Sequence, residues 1–249
     1  MDFELEICVN SIRSALAAEL GGADRIELCD NMAEGGTTPS PGMILQCKKL
    51  LSIPVFPIIR PRGGDFLYSD EEFEVMKRDI EFCKEVGCEG VVIGMLNADG
   101  SIDTARCKEL VELAAPMEVT FHRAFDRCND LGRGLEDIIA LGCRRILTSG
   151  GKASAADATD ILKTLVDLAD NRIAIMAGSG ITEDNIARIA ELTGAPQFHS
   201  TAKATVLSAM SYHPSGDLAV LDGDFAIMET SSVKVEKMKQ SLAGVFSSR

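Results

Sequence analysis

The chain alternates between two hydrophobic patterns along nearly its whole length. Short runs rich in Val, Ile and Leu, typical of β-strands, are each followed by a turn and a longer amphipathic stretch with helical spacing. Because parallel strands need a crossover to connect them, this alternation predicts a parallel sheet. The predicted strands lie near residues 3–9, 25–29, 54–60, 90–96, 118–123, 144–149, 172–177 and 197–201. The predicted helices lie near residues 11–21, 40–51, 69–86, 103–114, 134–141, 155–169, 182–193 and 232–245.

Eight strand–helix units without a break in composition predict an α/β fold, a (β/α)8 TIM-type barrel that takes up residues 1–249 as one domain. An open doubly wound sheet is the alternative. Residues 203–231 follow the last strand as a long loop that contains Tyr212, His213, Pro214 and Gly216. Loops this long are uncommon unless they bind, cover a site or are disordered. We therefore expect either a lid or a mobile insertion here.

Composition and charge narrow the range of partners. The formal net charge of −13 repels polyanions, so nucleic acid is not an expected partner. No apolar run approaches the roughly 20 residues of a membrane span, and the acidic N-terminus is unlike a signal peptide. These features predict a cytoplasmic protein that does not enter a membrane. In such a reducing compartment the eight cysteines are expected to be free thiols.

Two neighbouring strands place polar side chains on the face that should point into the barrel. In the first strand Glu6 and Cys8 alternate with apolar residues, and in the second strand Glu27 and Cys29 do the same. A barrel interior is normally filled with bulky apolar side chains, and a buried carboxylate needs a partner. Two acids inside the barrel therefore predict either a functional site or a salt-bridge network that only fixes the interior.

Basic residues near the ends of the third and fifth strands are candidate partners for these acids. Arg60 and Arg62 share one face at the end of the third strand, and His122 lies at the end of the fifth. Because active sites of such barrels lie where the strands end, we expect these three residues to form one polar cluster with Glu6 and Glu27.

Glycine-rich turns follow the sixth and seventh strands and predict an anion site. Glycine allows backbone N–H groups to approach a ligand, and phosphate often binds after the later strands of such barrels. A tight turn without a ligand is the alternative interpretation. The candidate anion-binding residues are Ser149, Gly150, Gly178, Ser179 and Gly180.

Several of these segments resemble the CutC family of copper homeostasis proteins. The resemblance rests on Ala23–Cys29 with Gly35–Ser40, on Ile59–Phe66, on Phe121–Asp126 and on Leu147–Gly150. It implies a cytosolic TIM-type barrel that forms a homodimer or higher homo-oligomer and is linked to copper tolerance. It also implies Cys8 and Cys29 as copper ligands.

Two functions remain open at this point. In the first, Cys8 and Cys29 bind Cu(I), which prefers soft thiolates; linear coordination needs their sulfurs about 4–5 Å apart. In the second, the protein is an enzyme acting on a small anionic or phosphorylated metabolite. The enzyme would use His122 as general acid or base, Glu6 and Glu27 as a second acid/base pair, Arg60 and Arg62 to hold the anion, and the turn at 178–180 to hold a phosphate.

Overall fold

A computed structural model describes residues 3–212 and 225–247 and shows eight parallel strands. They pair in the order β3-β2-β1-β8-β7-β6-β5-β4. A bridge between Ile58 and Val92 joins the two outer strands of this order and closes the sheet on itself. The (β/α)8 barrel is thereby confirmed and the open sheet excluded. The strands are β1 (Glu4–Val9), β2 (Arg25–Leu28), β3 (Val55–Pro57), β4 (Gly90–Ile93), β5 (Glu118–Phe121), β6 (Arg145–Thr148), β7 (Ala174–Ala177) and β8 (Gln197–Ser200).

Eight helices surround the strands, and local capping sets where most of them begin. Ser69 accepts a hydrogen bond from the backbone of Glu72, whose carboxylate in turn accepts one from the Ser69 N–H, a complete capping box. Asp130 caps the fifth helix in the same way from its side chain. The helices are α1 (Ile12–Leu20), α2 (Pro41–Leu50), α3 (Asp70–Glu85), α4 (Thr104–Ala114), α5 (Leu131–Leu141), α6 (Thr159–Ala169), α7 (Ile186–Thr193) and α8 (Ser232–Ser247).

The apolar side chains of the strands pack outward against the helices, and the polar ones point inward. Leu5 and Ile7 of β1 are fully buried in the core cluster that joins strands and helices. Inside the barrel, Arg25 lies 5.7 Å and Arg145 5.1 Å from the centre of the Phe56 ring. Gly90 leaves room for that ring, because a Cβ there would lie 2.0 Å from a ring carbon.

The predicted loop 203–231 is not a loop at either end. Its first and last residues form an antiparallel two-stranded ribbon of β9 (Lys203–Leu207) and β10 (Ala226–Thr230). The backbone N–H of Thr230 donates to Ser14 of α1, which ties the ribbon to the barrel. His213, Pro214 and Gly216 lie outside the described residues, and the lid remains a prediction. None of the helices in the described part of the chain is long and apolar enough to cross a membrane.

Candidate functional site

A cavity of about 1120 Å³ opens where the strands end. Its position follows from the topology, since parallel strands bring their carboxyl ends to one mouth. Residues from strand ends on opposite sides of the barrel line it, among them Cys8, Glu27, Arg60, His122 and His199. The cavity is large enough for a small organic molecule.

A group of three sulfur atoms lies beside the cavity, and two of them, in Cys8 and Met32, belong to residues that line it. The Sγ atoms of Cys8 and Cys29 are 3.4 Å apart, and the Sδ of Met32 is 3.7 Å from the Cys8 Sγ. The thiols meet because β1 and β2 are paired and the backbone N–H of Cys29 donates to Val9. Gly36 permits the close approach, because a Cβ at that position would lie 3.2 Å from the Cys29 sulfur. A ligand oxygen of Glu27 lies within 4.8 Å of both cysteine sulfurs, so this group contains donors for a metal ion.

A buried chain of charged groups runs from these sulfurs into the barrel. Glu6 accepts a hydrogen bond from Arg25 Nε at 2.6 Å and lies 2.7 Å from the Nδ1 of His199. The other imidazole nitrogen of His199 is 3.7 Å from Glu27. Arg25 also pairs with Glu4 at the lower end of β1. Each of these buried charged groups therefore has a partner of opposite charge, as burial requires.

The surroundings set opposite protonation states for the two acids. Burial alone would raise the pKa of Glu6, but Arg25 and His199 outweigh it and lower that pKa to about 2. Burial, followed by the negative charge of Cys8, raises the pKa of Glu27 well above its usual value. Glu6 is therefore a carboxylate at neutral pH, whereas Glu27 is shifted toward its neutral form.

The two thiols are unequal for a similar reason. A hydrogen bond from the Cys29 thiol lowers the pKa of Cys8 to about 5, against the effect of burial and with the help of His199. The same hydrogen bond, together with burial, raises the pKa of Cys29 well above its usual value. Burial opposes ionisation of His199, yet Cys8, Glu6 and Glu27 raise its pKa well above the usual value. Cys8 is thus a thiolate that lines the cavity beside an imidazolium.

The structure does not bring the predicted polar cluster together as one network. Glu6 and Glu27 meet through His199, whereas the guanidinium of Arg60 donates to the backbone carbonyls of residues 34, 36 and 64. Arg62 turns away to Glu72 and Asp65 at the surface. The expectation that His122 and Arg60 neutralise the two acids is therefore wrong, because Arg25 and His199 do so.

His122 also differs from the general acid or base expected of it. Its Nδ1 accepts a hydrogen bond from the backbone N–H of Ala124 at 3.1 Å, and its ring lies 5.0 Å from that of Phe66. Burial, followed by the positive charge of Arg60, lowers the pKa of His122 to about 3. The imidazole is therefore neutral at physiological pH.

The turn after β6 is occupied by a carboxylate of the chain itself. Asp126 accepts hydrogen bonds from the backbone N–H groups of Ser149 and Gly151, each at 3.0 Å. The N–H of Gly150 donates to the Thr148 hydroxyl at 2.9 Å. These amides are already paired within the protein, which contradicts the expectation that Ser149 and Gly150 hold an external anion.

The turn after β7 is tight and reaches the cavity. The N–H of Gly178 donates to the carbonyl of Thr148 at 2.9 Å, so it too is paired. Ser179 and Gly180 have φ of 75° and 69°, and both line the cavity. The expected helix start at 182 is wrong, because α7 begins only at Ile186. Its positive end is therefore displaced from the turn, and the anion role of residues 178–180 remains a prediction.

Sequence reasoning missed three participants in the site. His199 alternates with apolar Phe198 in β8, so the same period of two that placed Glu6 inside also places His199 inside. Arg25 stands directly opposite Glu6 in the pairing of β1 and β2. Met32 lies in a short 3₁₀ turn, and no periodic pattern marks it.

Comparison with known proteins gives consistent matches. The sequence model of the CutC family matches residues 3–204. A CutC family protein of Chromobacterium violaceum is 47% identical over 244 residues, 97% of this chain and 99% of that protein. A Homo sapiens protein named copper homeostasis protein cutC homolog is 50% identical over 213 residues, 86% of this chain and 78% of that protein. A crystal structure of CutC from Streptococcus agalactiae matches with a TM-score of 0.77 at 35% identity and covers 80% of this chain and 98% of that one.

Proposed function

Because this chain belongs to the CutC family, we propose that it takes part in copper homeostasis by binding Cu(I) through Cys8 and Cys29. The observation that carries the proposal is the pair of cysteine sulfurs 3.4 Å apart, and the pKa of Cys8, lowered to about 5, supports it. Soft thiolate and thioether ligands select Cu(I) over harder divalent ions. Both cysteines are buried apart from the cavity that Cys8 lines, and this cavity gives an ion access to the pair.

The distances favour three-coordinate over linear binding. A typical metal–thiolate bond is about 2.3 Å, so linear coordination needs sulfurs about 4.6 Å apart and trigonal coordination about 4.0 Å. The separations of 3.4 Å between Cys8 and Cys29 and 3.7 Å between Cys8 and Met32 are closer to the trigonal value. We therefore assign Met32 as the third ligand, which requires smaller movements of the sulfurs than linear binding does.

The surrounding charges support a monovalent ion. Arg25 and His199 balance Glu6 and the Cys8 thiolate, while the raised pKa of Glu27 favours its neutral form. Entry of Cu(I) with loss of the Cys29 thiol proton leaves the net charge of the group unchanged. A divalent ion would need Glu27 to give up its proton as well, against that raised pKa.

Titration of Cu(I) against a chromophoric competing chelator tests the proposal. We expect Cys8→Ser and Cys29→Ser each to weaken binding by at least about tenfold, since a lost metal–sulfur bond is worth more than about 1.4 kcal/mol. Met32→Leu, which keeps the apolar volume, should weaken binding several-fold. Combining the two cysteine substitutions should add little, because either one alone already dismantles the site.

Cys143→Ser is the matched control. Cys143 is also buried, but burial alone raises the pKa of its thiol to about 12, and it does not line the cavity. Its substitution should leave Cu(I) affinity unchanged. Equal affinity in the wild type and in all four single variants would refute the proposal and leave copper as non-specific binding to thiols.

A further inference from the structure

Arg60 is a buried cation that lacks an anionic partner. Three arginines are at most 4% exposed: Arg25, Arg60 and Arg145. Arg25 pairs with Glu6, and Arg145 pairs with Glu118. Over residues 3–212 and 225–247, Arg60 forms no ion pair, and its Nε has no hydrogen-bond partner. Its other nitrogens donate only to backbone carbonyls, and the nearby carboxylate of Asp65 is already paired with Arg62.

His122 offers a second donor without an acceptor. It is 4% exposed, and within the described part of the chain its Nε2 has no partner. The tautomer is fixed by structure, because Nδ1 accepts the N–H of Ala124 and so cannot carry the proton of a neutral ring. The proton is then on Nε2. A buried N–H group without an acceptor costs about 1–3 kcal/mol, so the site is incomplete as it stands.

The geometry brings these two groups to the same part of the cavity. Gly94 at the end of β4 has no side chain, and a Cβ there would lie 2.4 Å from the imidazole of His122. The ring therefore lies against the end of β4, where the charge of Arg60 reaches it. Phe66 is close to both groups, with its ring centre 5.0 Å from the Arg60 guanidinium carbon and 5.0 Å from the His122 ring centre. Both residues line the cavity.

We propose that Arg60 and His122 form an oxyanion subsite that binds the carboxylate or phosphate group of a small organic molecule. An oxyanion supplies both the missing negative charge for Arg60 and the acceptor for the two N–H groups. The cavity of about 1120 Å³ accommodates a molecule far larger than a metal ion. Cys8 and Met32 of the sulfur group line the same cavity. His122 is a neutral hydrogen-bond donor in this subsite and transfers no proton.

The imidazole groups of the wild-type protein give a direct test by nuclear magnetic resonance. The chain has three histidines, so the signal of His122 can be assigned by its loss in His122→Phe. We expect titration with inorganic phosphate or with acetate to shift the His122 Nε2–H resonance to a saturating value. Saturation with phosphate alone identifies a phosphorylated ligand, and saturation with acetate alone identifies a carboxylic acid.

Variants test whether the donors are required. His122→Phe keeps an aromatic ring beside Phe66 but removes the N–H, and should reduce the affinity for the binding anion about tenfold or more, measured by the anion-dependent rise in melting temperature. Cys143→Ser is the control, since Cys143 is buried and does not line the cavity. Its anion affinity should equal that of the wild type.

The proposal is overturned if neither anion shifts the His122 resonance or if His122→Phe binds the anion as well as the wild type does. Cu(I) titration of His122→Phe separates this proposal from the copper site. We expect unchanged Cu(I) affinity there, because His122 contributes no ligand to the sulfur group. Loss of anion binding with retained copper binding would therefore establish two independent subsites.

Discussion

Replacing Cys29 with alanine should weaken the acidity of Cys8. The Cys29 thiol donates the hydrogen bond that contributes most to the low pKa of Cys8, about 5 against a usual value of 9.0. Alanine removes this donor and leaves His199 and Glu27 as stabilising partners of the thiolate. Cys29→Ser is the matched variant, because a hydroxyl occupies nearly the same place and still donates.

The magnitude follows from the strength of that hydrogen bond. A hydrogen bond to a charged group contributes about 1.5–3 kcal/mol, and about 1.36 kcal/mol corresponds to one pKa unit. Loss of the donor should therefore raise the pKa of Cys8 from about 5 to about 6–7. In Cys29→Ser the pKa should stay closer to that of the wild type.

The assay is the pH dependence of alkylation by iodoacetamide, followed at the peptide that contains Cys8 by mass spectrometry. Only the thiolate reacts, so the midpoint of the rate profile reports the pKa of Cys8, and the reagent reaches the sulfur through the cavity. A wild-type midpoint at the usual thiol value would refute the reasoning. Identical midpoints in the alanine and serine variants would show that Cys29 is not the donor.

Four further predictions concern copper binding and stability. Cu(I) binding near pH 7 should release about one proton, from Cys29, because the Cys8 thiol is already ionised. Calorimetry in buffers of different ionisation enthalpy measures the number of protons released. Release of two protons would contradict the prediction. Gly90→Ala should cost about 1–3 kcal/mol in urea unfolding, since its Cβ would lie 2.0 Å from the Phe56 ring. The same change at Gly244, a helical position where an added Cβ would have no atom within 4 Å, should instead stabilise by about 0.5–1 kcal/mol. The Glu6 carboxylate, whose pKa is lowered to about 2, stabilises the fold above pH 4.5 and loses this effect as the pH falls toward 2. The difference in unfolding free energy between the wild type and Glu6→Gln should therefore narrow over that range.

The alternation of strands and helices was sufficient to predict the barrel, because the spacing of hydrophobic residues in each segment identified it as a strand or a helix. The predicted first residue of a helix was wrong where glycines or a turn lie near that residue. Helix α5 begins at Leu131, earlier than the expected residue 134. Asp130 caps the helix there and stabilises a first turn even though it contains the glycines at 132 and 134. The opposite error affected α7, where Asn185 holds residues 182–185 in a turn by accepting the N–H of Thr182.

The site was predictable only as far as strand alternation reaches. Alternation placed Glu6, Glu27 and the two cysteines inside the barrel, and the structure has them there. It did not indicate which cation each acid meets, since that depends on how strands far apart in sequence are staggered. His199 lies 193 positions from Glu6 along the chain, and only closure of the barrel between β1 and β8 brings them together.

The charged interior also has a consequence for the fidelity of folding. In a barrel with apolar side chains on both strand faces, sliding one strand by a residue exchanges one apolar set for another at little cost. Here such a slip of β1 would turn Glu6 out among the helices and leave Arg25 facing Leu5 or Ile7 instead of a carboxylate. An unpaired buried charge costs several kcal/mol, so a slip of one residue is penalised while the native alignment is not. The ion pairs beneath the cavity therefore favour one register of β1 against β2, and the same register fixes the height at which the thiols meet.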